Sequence, residues 1–409
     1  MENVADVPPE QIITGTERER NDRLPAFSLH LDLIRGLAAL VVFYGHLHLI
    51  VTGHGSVGGD VHGLAIATHP VGGTALPHAA VVVFFVLSGY LVGGSVLRDV
   101  DRQRFSWSSY TLRRLTRLWT VLIPAMVIGT LLDLTTKRFF STTRFFHTGY
   151  FTSHLNGAPS LSNFGRYLFF LQAIDWFQTP RFGTNGALWS LSCEFWYYLF
   201  FPILALCFSS SHLSRTVRCG LAALLVALMV FAGPRISLSF PIWLFGVAAY
   251  SMPAKIPKKA QNPLNGAFAI LFLLVLYVLR SRPLPPLLAD YILALSFTVL
   301  VYGLVHRSDS VRRSLYFRLS HALALPSYTL YACHIPMTVL SAAFLAYEFP
   351  NIFRHPALAM TLIFVTVFAN VVILYRLFER NTDGIRRFIE KRMVRQPTAQ
   401  VQAPILTSL

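Results

Sequence analysis

Apolar runs about 17–25 residues long recur from residue 29 to residue 378, the length a helix needs to cross the hydrocarbon core of a bilayer. In lipid every backbone N–H and C=O must be paired within its own segment, so such runs fold as helices. Ten are read, at about 29–50, 76–97, 113–134, 188–208, 217–233, 236–252, 264–280, 286–305, 323–346 and 357–378. The composition agrees: 54% of the residues are hydrophobic and 13% charged, against roughly a quarter charged in soluble domains. The expected fold class is all-α, a polytopic membrane protein of about ten transmembrane helices.

The net charge of +16 is distributed as a membrane topology demands. Lys and Arg crowd into "RDVDRQRFSWSSYTLRRLTR", "SSSHLSRTVR", "KIPKK", "HRSDSVRRSLYFR" and "RLFERNTDGIRRFIEKRMVR", whereas "VTGHGSVGGDVHGLAIATHPVGG" holds none. Basic segments stay cytoplasmic, so both termini are expected inside, and the charge argues against a nucleic-acid partner. Residues 1–27 read as a polar cytoplasmic segment without a signal peptide, 28–388 as the membrane domain and 389–409 as a disordered tail. The outer connection over 135–187 is long enough to expect a function. Cys193, Cys207, Cys219 and Cys333 fall in or beside apolar runs and read as small hydrophobes, so no metal site is expected from them.

Ionisable groups inside spans are costly and usually functional. The first span, "LDLIRGLAALVVFYGHLHLI", carries Asp32, Arg35, His46 and His48. Asp32 and Arg35 are neighbours on one face. Arg35 and His46 stand eleven positions apart, offset by only roughly 20° around the helix and separated by roughly 16 Å along it. Asp32, Arg35 and His46 therefore form one stripe, which must face a bundle interior or a wet cavity; Tyr44 and His48 point elsewhere. The bland alternative is an arginine snorkelling to the headgroups and a hydrogen-bonded core histidine.

Further spans carry further groups. "VLSGYL" sets Ser88, Gly89 and Tyr90 within the second span, with close helix packing as the simplest reading of the glycine. Arg113, Arg114 and Arg117 lie at the cytoplasmic mouth of the third; they read either as ordinary anchoring or as a phosphate clamp. Glu194 sits inside "LWSLSCEFWYY" beside Trp189 and Ser190, and "SYTLYACHIP" places Tyr328, Tyr331 and His334 in a late span. Together these suggest a polar cavity shared by several helices.

Arg35 and His46 with ten residues between them, then "FFVLSGY", "RRLTRLW", "LWSLSCEFWYY" and "SYTLYACHIP", come in the order seen in acyltransferase family 3, which the chain resembles over about residues 28–388. The family consists of integral membrane proteins that O-acylate carbohydrates and other acceptors. The resemblance implies that Arg35 and His46 are the essential pair, and it carries Ser88 and Tyr90, the three arginines, Trp189, Ser190 and Glu194, and Tyr328, Tyr331 and His334 as motif positions. One departure is Asn381, where the family often has proline.

The expected activity is transfer of an acyl group, most simply acetyl, from cytoplasmic acyl-coenzyme A to a hydroxyl of a cell-envelope carbohydrate or glycolipid, in a bacterial inner membrane. Arg35, Arg113, Arg114 and Arg117, with Ser88 and Tyr90, are assigned to the donor. Trp189, Ser190, Tyr328 and Tyr331 are assigned to the acceptor. His46 is the expected base or acyl carrier, with Glu194 or His334 orienting it. Two other readings compete. A proton-coupled transporter or flippase would also use buried Arg, Glu and His, although no matching half-sequences are visible. A metal site at His48, His54, His62, His69 and His78 would lack any ligand motif.

Overall fold

A computed structural model describes residues 23–52, 75–143, 160–209, 213–253, 256–281, 284–306, 310–312 and 315–394. A short strand, β1 (Arg23–Pro25), leads into α1 (Ala26–Thr52). Helix α2 (Ala75–Ser88) continues through a π-helical turn (Gly89–Gly93) into α3 (Gly94–Asp101), and together they make one span. Then come α4 (Trp107–Phe139), the short α5 (Leu161–Leu168), α6 (Trp189–Ser209), α7 (Arg215–Ala232), α8 (Pro234–Ser251), α9 (Lys258–Ser281) and α10 (Pro286–Val305). Strand β2 (Ser310–Arg312) pairs antiparallel with β1, and α11 (Leu315–Ala324), α12 (Ser327–Glu348), α13 (Pro356–Leu377) and α14 (Thr382–Val394) complete the chain.

All ten expected helices are present, and nine are long and apolar enough, among the described residues, to cross a membrane. The tenth, α8, opens with Pro234 and Arg235, which lowers its hydropathy. It packs against α2, the π turn, α6, α7 and α10, so protein replaces lipid over much of its surface. Helix α9 shows the opposite condition: Ile270 and Tyr277, each 68% exposed, face outward as lipid-facing residues must. The run read as one helix from 323 is broken between Ala324 and Ser327, where Pro326 withholds a backbone donor. Helix α14 reaches Val394, six residues into the segment read as tail, and 395–409 lie outside the described residues, as do 1–22 and 144–159.

Helix α1 packs against α2, α11, α12 and α13, and α12 packs in turn on α4. Because lipid is as apolar as any side chain, this association rests on close packing and polar contacts. The glycines make that visible. A Cβ on Gly89 would lie 1.9 Å from the Trp243 carbonyl oxygen, and one on Gly246 would lie 1.9 Å from that of Val86. Helices α2 and α8 therefore touch backbone to backbone, at the π turn.

Candidate functional site

Two cavities open at opposite ends of the helices. The first, about 670 Å³, is walled by His46 and Leu49 near the C-terminal end of α1, by Pro77 and His78 at the start of α2, and by residues of the 172–189 connection. The second, about 510 Å³, is walled by Arg35 near the start of α1, by Arg113, Arg114 and Arg117 of α4, by Ser88, Glu194 and Tyr328, and by Glu379, Arg380 and Arg386 beyond α13. Val81 and Tyr331 border both. The stripe on α1 thus presents Arg35 to one cavity and His46 to the other.

At the first cavity the Nε2 of His334 lies 3.0 Å from the Nδ1 of His46. The rest of the wiring fixes the protons. The Nδ1 of His334 faces the carbonyl oxygens of Leu330 and Tyr331 at 3.0 and 2.9 Å, and a carbonyl only accepts, so that nitrogen carries the hydrogen. The Nε2 of neutral His334 is then an acceptor, and His46 Nδ1–H donates to it while also facing Val42 O at 3.0 Å. That leaves Nε2 of His46 without a proton, on a half-buried ring lining the cavity. Protonating that atom leaves the His46–His334 bond intact, so His46 can pass between base and conjugate acid without rearranging its neighbour.

The second cavity is cationic. Arg35 pairs with Asp32 at 3.1 Å and reaches the Ala324 carbonyl, Arg113 pairs with Asp99 at 3.6 Å, and Arg114 donates to Ser95 at 3.1 Å. Arg114 also lies over the rings of Tyr110 and Tyr198. Glu194 accepts from Ser88 at 3.1 Å and from the Tyr198 hydroxyl, and Trp243 donates to Ser88 at 3.2 Å. Arg117 interacts electrostatically with both Glu194 and Glu379. Four buried polar atoms here have no hydrogen-bond partner among the described residues: Nε of Arg35, Arg114 and Arg386, the last 3.8 Å from a Glu390 carboxylate oxygen, and the Tyr328 hydroxyl. Unsatisfied buried donors are costly, so their convergence on one space suits an anionic ligand that accepts from them.

The sequence assignments fall into place unevenly. Of the two candidates for orienting His46, His334 makes the contact, while Glu194 belongs to the arginine-lined cavity. Tyr44 and His48 contact each other, with Tyr44 54% exposed. Trp189 lines the first cavity, but Ser190 and Tyr328, grouped with it from the sequence, line the second, and Tyr331 borders both. Tyr331 holds that border by donating to Ala187 O at 2.9 Å and meeting Ser190 Oγ at 2.6 Å. Tyr90 packs on Tyr250, away from either cavity wall; residues two apart on a helix point roughly 200° apart, so Ser88 and Tyr90 do not share a face.

Several groups at the cavities carry no assignment from the sequence: Asp290, which holds His78, the pair Asp175 and Arg235, and, in the second cavity, Glu379 and Arg386; His78 itself is weighed from the sequence only as a metal ligand. A lone Asp in "LLADYILALSF" was a signal of the kind that marked Glu194. His54, His62 and His69 lie outside the described residues, and among those described no group of three or more His, Cys, Asp or Glu is arranged to hold a metal ion.

Comparison with known proteins bears on this arrangement. The family profile of an acyltransferase domain matches residues 29–376, which include every wall of both cavities except Glu379 and the residues that follow it. The O-acetyl transferase of Shigella phage Sf6 is 26% identical over 267 residues, covering 61% of this chain and 69% of the phage protein. No solved structure matches. With the profile spanning most of the chain, from α1 through α13, this protein belongs to acyltransferase family 3.

Proposed function

We propose that the protein is a membrane O-acetyltransferase that moves an acetyl group from cytoplasmic acyl-coenzyme A to a hydroxyl of a cell-envelope carbohydrate. The observation that carries this reading is the pair of cavities meeting at Tyr331 and Val81, one walled by arginines and the other bordered by an imidazole with a bare nitrogen. The name of the phage relative favours acetyl as the group transferred. The positive-inside rule assigns the arginine-rich helix ends to the cytoplasm, where coenzyme A thioesters are made. A bacterial inner membrane fits that assignment.

The donor's phosphates match the second cavity. Guanidinium groups pair with phosphate oxygens through two parallel hydrogen bonds, and Arg35 and Arg114 each hold an Nε without a hydrogen-bond partner among the described residues. The acyl thioester then extends toward the Tyr331 border. From the other side, Nε2 of His46 takes the proton of the acceptor hydroxyl as its oxygen forms a bond to the thioester carbonyl carbon. The tetrahedral intermediate collapses, the C–S bond breaks, and the departing thiolate receives the proton from His46. Separate cavities allow both substrates to be present at once, which supports direct transfer over an acyl-histidine intermediate.

The test is thiol release by purified protein given acetyl-coenzyme A, with and without oligosaccharide from the producing cell's envelope. Acceptor-dependent release of free thiol, with intersecting initial-rate lines, is expected. A proton-coupled carrier would release none, and parallel lines would replace direct transfer with an acyl-histidine route.

A further inference from the structure

The outward cavity contains a second imidazole that the transfer chemistry above leaves unused. Nε2 of His78 lies 2.8 and 3.0 Å from the two carboxylate oxygens of Asp290, which links α2 to α10. A carboxylate only accepts, so Nε2 carries the hydrogen and the Asp290 contact fixes the ring. The opposite nitrogen, Nδ1, has no protein partner among the described residues, and His78 is part of the cavity wall. Beside it lies Trp189, its ring nearly parallel to that of His78, with centroids 6.5 Å apart and planes at 14°. His46 lines the same cavity.

We infer that His78, held by Asp290, is an acceptor-positioning residue whose Nδ1 accepts a hydrogen bond from a second hydroxyl of the sugar, while a first hydroxyl is presented to His46. This rests on the transferase reading above and names the acceptor as a polyhydroxylated ring rather than a simple alcohol. A sugar has apolar C–H faces and a hydroxyl rim. Trp189 offers a flat aromatic surface to the former, and the two histidines offer fixed hydrogen-bonding nitrogens to the latter. Two nitrogens on different helices define an orientation that one cannot, so they select which hydroxyl meets the base. The tie to Asp290 keeps Nε2 out of the cavity and therefore leaves Nδ1 as an acceptor, not a donor.

Two substitutions separate this role from a merely structural link between helices. The amide nitrogen of His78→Gln reaches the Nε2 position and keeps the bond to Asp290, but nothing remains at the Nδ1 position. His78→Asn does the reverse. Each variant is purified in detergent, its monodispersity checked, and thiol release from acetyl-coenzyme A followed against envelope oligosaccharide concentration. His78→Gln is expected to raise the half-saturating acceptor concentration by about fivefold, the scale of one lost hydrogen bond. Its limiting rate and half-saturating acetyl-coenzyme A concentration should stay near those of the unaltered protein, and His78→Asn should be the milder variant. If His78→Gln behaves as the unaltered protein does, or His78→Asn is the more damaging, His78 only ties α2 to α10 and the inference falls. A collapse of the limiting rate with unchanged acceptor saturation also overturns it, by moving His78 into the chemistry. Unaltered protein that releases no acceptor-dependent thiol overturns the transferase reading itself, which is a different result.

Discussion

His46 and His334, 288 residues apart in sequence, meet through a 3.0 Å contact between Nδ1 of the first and Nε2 of the second. The direction of that hydrogen bond is dictated from outside the pair, by backbone carbonyls of α12 that compel His334 to carry its hydrogen on Nδ1. Thr338 adds a further polar contact one turn on, donating to the His334 carbonyl at 2.7 Å. The local backbone of one helix therefore sets the protonation pattern of a side chain on another. In the proposed mechanism this is how a base is kept ready at the outward cavity.

Removing the base and removing its orienter should differ in degree. His46→Ala is expected to lower transfer by about 10²–10⁴-fold, the usual contribution of a positioned general base. His334→Phe keeps an aromatic ring but loses Nε2; one net hydrogen bond is worth about 1 kcal/mol, so tautomer control should weaken by roughly fivefold. Thiol-release rates on variants that elute as monodisperse protein would check this. A His334→Phe variant as inactive as His46→Ala would make His334 a participant in the proton transfer itself.

The arginine cavity makes a prediction about the donor's phosphates. Arg35→Ala and Arg114→Ala each delete a guanidinium with an unpartnered Nε. Hydrogen bonds to charged groups contribute about 1.5–3 kcal/mol, so half-saturating acetyl-coenzyme A should rise by roughly 10–100-fold. Acetyl-pantetheine, which carries the same thioester without phosphates, should show no such dependence on the two residues. Equal losses with both donors would mean that the arginines serve the fold instead.

Much of this arrangement was legible in the sequence, and the limits have physical causes. Membrane helices announce themselves by length and apolarity, and the Arg35–His46 stripe follows from helical periodicity alone. What periodicity omits is which helices touch. Trp189 and Ser190 are adjacent in sequence yet border different cavities, because successive helical residues point about 100° apart. Asp290 is unremarkable in the sequence, and His78 reads there only as one of several loop histidines, until α2 and α10 are side by side. Likewise Glu194 and His334 were equal candidates for His46 until their helices were arranged.

The contact of α2 with α8 allows a test of packing. Gly89→Ala would force a methyl group to within 1.9 Å of the Trp243 carbonyl oxygen, and backbone on backbone has no side chain to swing aside. Overpacking typically costs about 1–3 kcal/mol, and a clash with backbone belongs at the upper end. A clear fall in the unfolding temperature of detergent-solubilised protein is expected. Activity should fall with it, because neighbouring Ser88 holds Glu194 at 3.1 Å. Unchanged unfolding would show that the two helices separate more readily than their contact implies.

The connection that walls the His46 cavity is pinned at one buried carboxylate. Asp133 of α4 accepts from the Thr184 backbone N–H at 2.9 Å and from its hydroxyl at 2.6 Å. Gly183 precedes it with φ +55, a conformation that side chains disfavour, and a Cβ there would lie 2.0 Å from Asp133 Oδ2. The loop thus turns over the carboxylate with no room between them, and Arg181, Gly186 and Ala187 of the same stretch line the cavity. Asp133→Asn replaces one acceptor by a donor facing a donor and should cost about 1–3 kcal/mol. Gly183→Ala should be at least as damaging, and either change should raise half-saturating acceptor while leaving that of acetyl-coenzyme A alone. The two sites are in contact, so their effects should not add. In an Asp133→Ala background the carboxylate is gone and the new methyl has space, so only the backbone strain of Gly183→Ala remains. Unfolding temperatures of the two single variants and the double variant measure that difference. Strict additivity would show that the loop is held by something other than Asp133.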